Sequence, residues 1–345
     1  MERFFDQGRI RNKMTISKTQ DVISLELPIR ETSVHTKLFQ NSALLIAIIS
    51  FSIPSYADSN GSQASQKESP LNFELNIGVE YDSSVSISEV DDNTAADDFA
   101  LVFDADVDYE KNLSKNTSLN LSYSFSQSLH DEFTDFNLQT HFATADIAHD
   151  FGNYDIGGSY RYIFTLLDND NFLTLQQLSP YFSTFVGKNL YLRADYTYID
   201  KEFDVFEERD ATANSVGADV YYFLEGTRRY FVLGYQYRDE DADDAQFDFE
   251  SQNYKIRFVQ RFQLGKRDMI GKLFARFDAR NYDSITRSIG EVRDDDRTRI
   301  GAELEIPIND KASILVEYEY SEFDSNLPAA DKTQNIIAVK MGFQF

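Results

Sequence analysis

The chain contains no cysteine and no tryptophan, and only 6 prolines and 15 glycines in 345 residues. Without cysteine, neither a disulfide framework nor a thiolate metal site can form. That absence suits export through an oxidising compartment. No stretch reaches the roughly 18 consecutive apolar residues that a membrane-spanning helix requires. Basic residues are outnumbered, 33 against 58 acidic ones, for a formal net charge of −25. Such a charge repels nucleic acid, so nucleic acid is not an expected partner. What the chain does have is aromatic residues, 29 Phe and 20 Tyr. That is too many for the disorder that an acidic, aromatic-poor composition would indicate.

Ala43 to Ile53 form an apolar run of 11 residues, preceded by Lys37 and followed by Pro54-Ser55-Tyr56-Ala57. A short apolar core with small residues Ser55 and Ala57 behind it is the pattern of a secretory signal peptide, cut after Ala57. Residues 1–57 are therefore expected to be leader and signal, with residues 1–33 an extension upstream of the true start. Residues 58–70, rich in Ser and Gln, read as a periplasmic linker.

From residue 71 to the last residue, 345, one rhythm holds. Phe73, Leu75, Ile77, Val79 and Tyr81 alternate with Asn72, Glu74, Asn76, Gly78 and Glu80. A strand has period two, so one face is greasy and the other wet. The expected segments are 71–84, 98–111, 117–129, 136–150, 153–166, 173–186, 189–200, 212–225, 229–239, 247–264, 268–282, 296–307, 311–322 and 333–345. Segments of about ten alternating residues between turns are the signature of an antiparallel transmembrane β-barrel, here of about 14 strands. The fourth and sixth segments alternate poorly, which leaves about 12 or 16 strands open. The fold class is all-β and the location is the bacterial outer membrane, with Tyr and Phe supplying the interfacial belt.

Loop lengths alternate as well. Short turns at Ser114-Lys115-Asn116, Gly152-Asn153, Gly187-Lys188-Asn189 and Gly265-Lys266-Arg267 follow even-numbered segments. Longer links, such as Glu89 to Asp98 and Ser284 to Asp295, follow most odd-numbered ones. Short periplasmic turns and long outer loops are the asymmetry of a barrel, and a soluble sandwich has no reason to share it. The outer loops are acidic. Asp239, Asp241, Asp243 and Glu250 stand at calcium-loop spacing, but Asp244 occupies the place where that loop needs glycine. They read as a solvated acidic loop, able to hold divalent cations against lipopolysaccharide phosphates.

On the wet faces, segments ten to twelve are expected to carry an inward basic wall of Lys255, Arg257, Arg261, Lys272, Arg276, Arg280, Arg297 and Arg299. Segments one and two face it with Glu74, Glu80, Asp104, Asp106, Asp108 and Glu110. Opposed walls set a transverse field that would orient polar solutes in a water-filled pore. Equally, these charges could pair across a packed lumen and close it. His130 beside Asp131 suggests a protease-like pair, but neighbours on a strand point to opposite faces and no third group is positioned. No enzyme activity, cofactor or metal site is expected.

The chain ends on Ile337, Val339, Met341, Phe343 and Phe345, alternating and closing on phenylalanine. This resembles the signal that the barrel-assembly machinery reads in outer-membrane proteins. Gly78-Val79-Glu80-Tyr81-Asp82-Ser83-Ser84-Val85 resembles the opening of the barrel in surface lipoprotein assembly modifiers, with Ser84 where asparagine is usual. The closing hairpin, from Tyr318 through Ser325-Asn326-Leu327-Pro328 to Phe345, is similar to that family's last two strands. The resemblance implies a 14-stranded barrel that helps move lipoproteins to the cell surface. The family's helical tetratricopeptide domain has no counterpart here, where only the linker after Ala57 precedes the barrel.

Overall fold

The computed structural model describes residues 70–265 and 267–345, so the expected leader, signal peptide and most of the linker lie outside the described residues. Fourteen strands form one closed antiparallel barrel in which each strand pairs with its sequence neighbours. They are β1 (Leu71–Asp82), β2 (Asp98–Asn112), β3 (Thr117–His130), β4 (Leu138–Asp150), β5 (Tyr154–Leu167), β6 (Asp170–Val186) and β7 (Leu190–Phe203). There follow β8 (Ala211–Phe223), β9 (Arg229–Ala242), β10 (Phe249–Leu264), β11 (Arg267–Thr286), β12 (Glu291–Asn309), β13 (Ala312–Ser325) and β14 (Lys332–Gln344). Closure leaves no strand edge, so every ladder finds a partner within the wall, as a lipid surrounding demands.

The period-two pattern sorts the side chains as expected. On β2, Leu101 is 61% exposed while its neighbours Ala100 and Val102 are 4% and 1% exposed. Val79, Leu178, Leu273 and Ile300 stand outward in the same way, each about half exposed. The outer surface of the wall is therefore apolar, which is stable only against hydrocarbon. Outward aromatic pairs cross neighbouring strands, Phe73 with Phe345 at 5.7 Å and Tyr154 with Phe182 at 5.5 Å between ring centres.

Two outer links differ from expectation. The link after β5 is a two-residue turn, Asp168-Asn169, with φ of 49° and 68°. Both residue types tolerate left-handed backbone, which is what a tight hairpin turn requires. The expected long loop from Ser284 to Asp295 is instead extended ladder, in which Ile285 pairs with Val292 and Arg280 with Asp295. Among the short periplasmic turns, Gly152 and Gly187 have φ of 93° and 72°, where a side chain would strain the backbone.

The seam where β1 meets β14 joins nine residue pairs, from Glu74 with Gln344 to Asp82 with Ile336. The neighbouring β1–β2 ladder joins twelve. Gly78 sits in the seam opposite Lys340, and an added Cβ there would meet the backbone of Val339 and Lys340. Backbone atoms cannot swing aside as a side-chain tip can. Gly78→Ala is therefore expected to destabilise the closed barrel by about 1–3 kcal/mol, as overpacking generally does. Heat-modifiability on gels would read this as a lower transition temperature, and an unchanged transition would show that the seam has slack.

Candidate functional site

The inward faces of the strands are polar and charged, and the structure places the expected wall residues there with one exception. Glu74, Glu80, Asp106 and Asp108 are buried, and Asp104 is partly so, whereas Glu110 lies exposed at the periplasmic end of β2. Of the basic set, Lys272, Arg276, Arg297 and Arg299 are buried, and Lys255, Arg257, Arg261 and Arg280 are half-buried. The closing residues expected to form an assembly signal face outward: Val339, Met341 and Phe345 are exposed and Phe343 is partly so.

The expected basic wall is interleaved with carboxylates that the segment-by-segment reading left out. Lys255 pairs with Asp219 of β8 at 2.8 Å, and Lys272 with Glu303 of β12 at 2.9 Å. Arg280 holds Asp278 at 2.8 Å, and Arg297 holds Asp295 at 2.9 Å. From the far side of the seam, Lys340 of β14 reaches Asp104 of β2 at 3.0 Å and Glu317 of β13 at 3.5 Å. A charge held this way offers less to a passing ion than a bare one. The inward groups that sequence reasoning missed, Asp219, Asp278, Asp295 and Glu303, lie on the same alternating faces, so strand register alone would have found them.

The largest departure is the first outer loop, residues 83–97, which turns inward. Ser86 and Ile87 pair with Asn93 and Asp92 in a short ladder. Ile87 is buried against Phe172 and Leu173 of β6 and Phe203 of β7, with Val90 packed beside it. Lys332 of β14 donates to the hydroxyls of Ser86 and Ser88 at 2.6 and 3.1 Å. The loop thus rises from β1, touches β14 at its root and seats its apolar tip on strands across the ring.

Asp91 fixes the loop in place. Arg293 of β12 donates to both of its carboxylate oxygens, at 2.9 and 2.8 Å, and Arg209 of the β7–β8 connection donates a third bond at 2.9 Å. The other edge of Arg293 grips Asp295 at 2.8 Å through Nε and 2.8 Å through Nη2. Burial alone would raise the Asp91 pKa. The Arg293 hydrogen bonds and the charges of Arg293, Arg209 and Arg297 outweigh it and hold the carboxyl well below the usual carboxylate range. Glu89, two residues before, behaves oppositely, because burial pushes its carboxyl up. Asp91 itself has φ of 56°, which aspartate tolerates, and Ala95 has φ of 50°, left-handed backbone that alanine adopts only when the surroundings hold it there.

His130 does not join Asp131. Its Nδ1 stands 3.7 Å from Asp98, whose carboxylate also accepts the backbone N–H groups of Glu132 and Phe133 at 3.0 and 2.9 Å. In the acidic β9–β10 connection, Asp244 accepts from the backbone N–H of Gln246 and pairs with Arg287 at 2.9 Å. Both groups organise turns at the outer rim.

Three solved structures are among those to which the chain is similar. CdiB from Acinetobacter baumannii matches at 11% identity and a TM-score of 0.46, over 80% of this chain and 60% of that one. The outer-membrane protein OmpT of Vibrio cholerae, in a loop-deletion form, matches at 11% identity and 0.46, over 80% of this chain and 99% of that one. OpdK of Pseudomonas aeruginosa, solved with vanillate, matches at 10% identity and 0.42, over 80% and 99%. No curated protein matches the chain. A family model described as surface lipoprotein assembly modifier matches residues 49–345. With a closed fourteen-stranded barrel and an apolar outer face, the chain is a bacterial outer-membrane protein, and it belongs to the surface lipoprotein assembly modifier family.

Proposed function

We propose that this barrel works in the assembly of lipoproteins at the cell surface, and that it does so as a barrel normally closed on its outer side. The family supplies the class of client. The observation that carries the closed state is the first outer loop, pinned by Asp91 between Arg293 and Arg209. A constitutive pore for small polar solutes would want that passage clear. Its partners, on this reading, are a surface lipoprotein, the barrel-assembly machinery that receives the closing strand, and lipopolysaccharide bridged through divalent cations to the acidic loops. No catalytic step is assigned.

The test is surface display. Deleting the gene should leave lipoproteins shielded from protease added to intact cells, and restoring the full chain should expose them again. Display that does not change on deletion would overturn the reading. The solute-channel alternative rests on the charged lumen. It requires steady conductance from the purified barrel in a planar bilayer, with an ion preference that changes in Arg276→Glu. A correctly folded but silent barrel would remove that alternative.

A further inference from the structure

Both halves of the seat that holds the first outer loop are fixed by the rest of the barrel and not by the loop. Arg293 is gripped by Asp295 through Nε and Nη2, and its guanidinium carbon lies 4.7 Å from the centre of the Tyr282 ring. Arg209 sits over the ring of Phe247 at 4.2 Å. The apolar half is Phe172, Leu173 and Phe203, with Phe206 set edge-on to both phenylalanine rings. The two halves adjoin, because the backbone N–H of Arg209 donates to the carbonyl of Phe206 in one turn. Groups held this way need little further ordering when a ligand arrives.

The loop is the more replaceable partner. Its own ladder is two pairs, Ser86 with Asn93 and Ile87 with Asp92. The turn between them presents Val90 to the aromatic patch, beside Ile87, and Asp91 to the two arginines. Lys332 adds bonds to Ser86 and Ser88 at the sides of the turn, and Arg209 takes the Glu89 carbonyl, an acceptor that any polypeptide can supply. If the loop left with nothing in its place, the patch would meet water and the arginines would lose their carboxylate. Both changes are unfavourable. A ligand shifts such an equilibrium only as far as it prefers the open state. One that opens this barrel must therefore satisfy both halves together.

We infer that the first outer loop is an internal stand-in for the client, and that the surface it covers docks a turn of the client polypeptide presenting apolar side chains beside a carboxylate. The inference rests on the proposed role in lipoprotein assembly, which supplies a polypeptide client. The geometry supplies the chemistry by which that client is recognised.

The probe is a labelled synthetic peptide with blocked ends that copies residues 84–96. It is added to the full barrel in detergent, and binding is read by fluorescence anisotropy. The tethered loop competes at an effective concentration of about millimolar, so the parent should bind weakly. In Asp91→Asn the loop fills the arginine fork poorly, and the apparent affinity for the peptide should rise by about tenfold or more. Ile87→Ser loosens the same loop from its apolar side and serves where Asp91→Asn does not fold. Against an opened barrel, peptides carrying Asp91→Asn, or Ile87→Ser with Val90→Ser, should each bind about tenfold more weakly. A hairpin of unrelated sequence with two apolar side chains and a carboxylate at matching places should bind as the copy does. Failure of that hairpin would make the site one for the loop alone and overturn the client reading. No binding to either opened variant, or equal binding by the altered peptides, would overturn the site itself. No cell or lipoprotein enters this assay, so the surface-display test stands or falls separately.

Discussion

Replacing Asp91 by asparagine should free the first outer loop from the lumen. The carboxylate is buried and takes three hydrogen bonds from two arginines. Asparagine is nearly its equal in size, but it removes the charge and turns one acceptor into a donor facing a cation. Removing one member of a buried ionic group costs about 3–5 kcal/mol, because the partners stay buried without compensation. What is left to resist release is the loop's apolar seat, Ile87 against Phe172, with the Lys332 bonds to Ser86 and Ser88 and the Arg209 bond to the Glu89 carbonyl. Two readouts follow: protease added to intact cells should cut within residues 83–97, and the purified barrel should conduct in a planar bilayer more than the parent does. Parent-like protection together with parent-like conductance would mean that Asp91 is not the latch.

The same carboxylate sets the pH behaviour of the loop. Its pKa in the folded protein lies below the ordinary value of about 4. The stabilisation it gives is therefore fully present above that ordinary value and is lost only as pH falls through the lowered one. Loop protection should hold across neutral and mildly acidic conditions and fail only in strong acid. In Asp91→Asn that acid step should vanish. Glu89 works in the opposite sense, its raised pKa weakening the seat as pH rises through the interval above the usual carboxylate range.

The second large effect is expected at Lys340. It is 3% exposed and joins Asp104 and Glu317, so it ties β14 to β2 across β1 and to β13 on its other side. Lys340→Met keeps the length of the side chain but leaves two inward carboxylates without their cation, at a cost of about 3–5 kcal/mol. Heat-modifiability should show a markedly lower transition, and Lys340→Arg should restore most of it. A methionine variant as stable as the parent would show that water in the lumen already satisfies both carboxylates.

Much of the wall could be read from residue order because lipid enforces alternation with few exceptions. The poorly patterned segments have local reasons. β4 carries Phe142 and Ala148 on its inward face, reversing the usual sorting. β6 has a register shift opposite Thr165 and Leu166, leaving Phe172 and Leu173 both buried. The acidic run Asp294-Asp295-Asp296 straddles the end of the expected outer link from Ser284 to Asp295. It is strand, because Asp295 turns inward to Arg293 and Arg297 while its two neighbours face out. The candidate site was less legible, because its latch joins Asp91 to a residue 202 positions away, and period-two patterning carries no information on such contacts. One signal was present: Val85, Ile87 and Val90 are out of place in a loop meant only for water.

The nine-pair seam has a consequence for how the molecule comes into being. Every other ladder links strands joined by a turn or loop, whereas this one brings together residues such as Glu74 and Gln344, 270 positions apart. Joining ends across a longer span costs more chain entropy, and here the ladder that must repay it is the shortest in the ring. Ring closure is then the last ladder to form as the sheet rolls up in the membrane, and the first to part under heat or pull. Until it forms, β1 and β14 are open edges hungry for a partner, and Lys340 has yet to find Asp104.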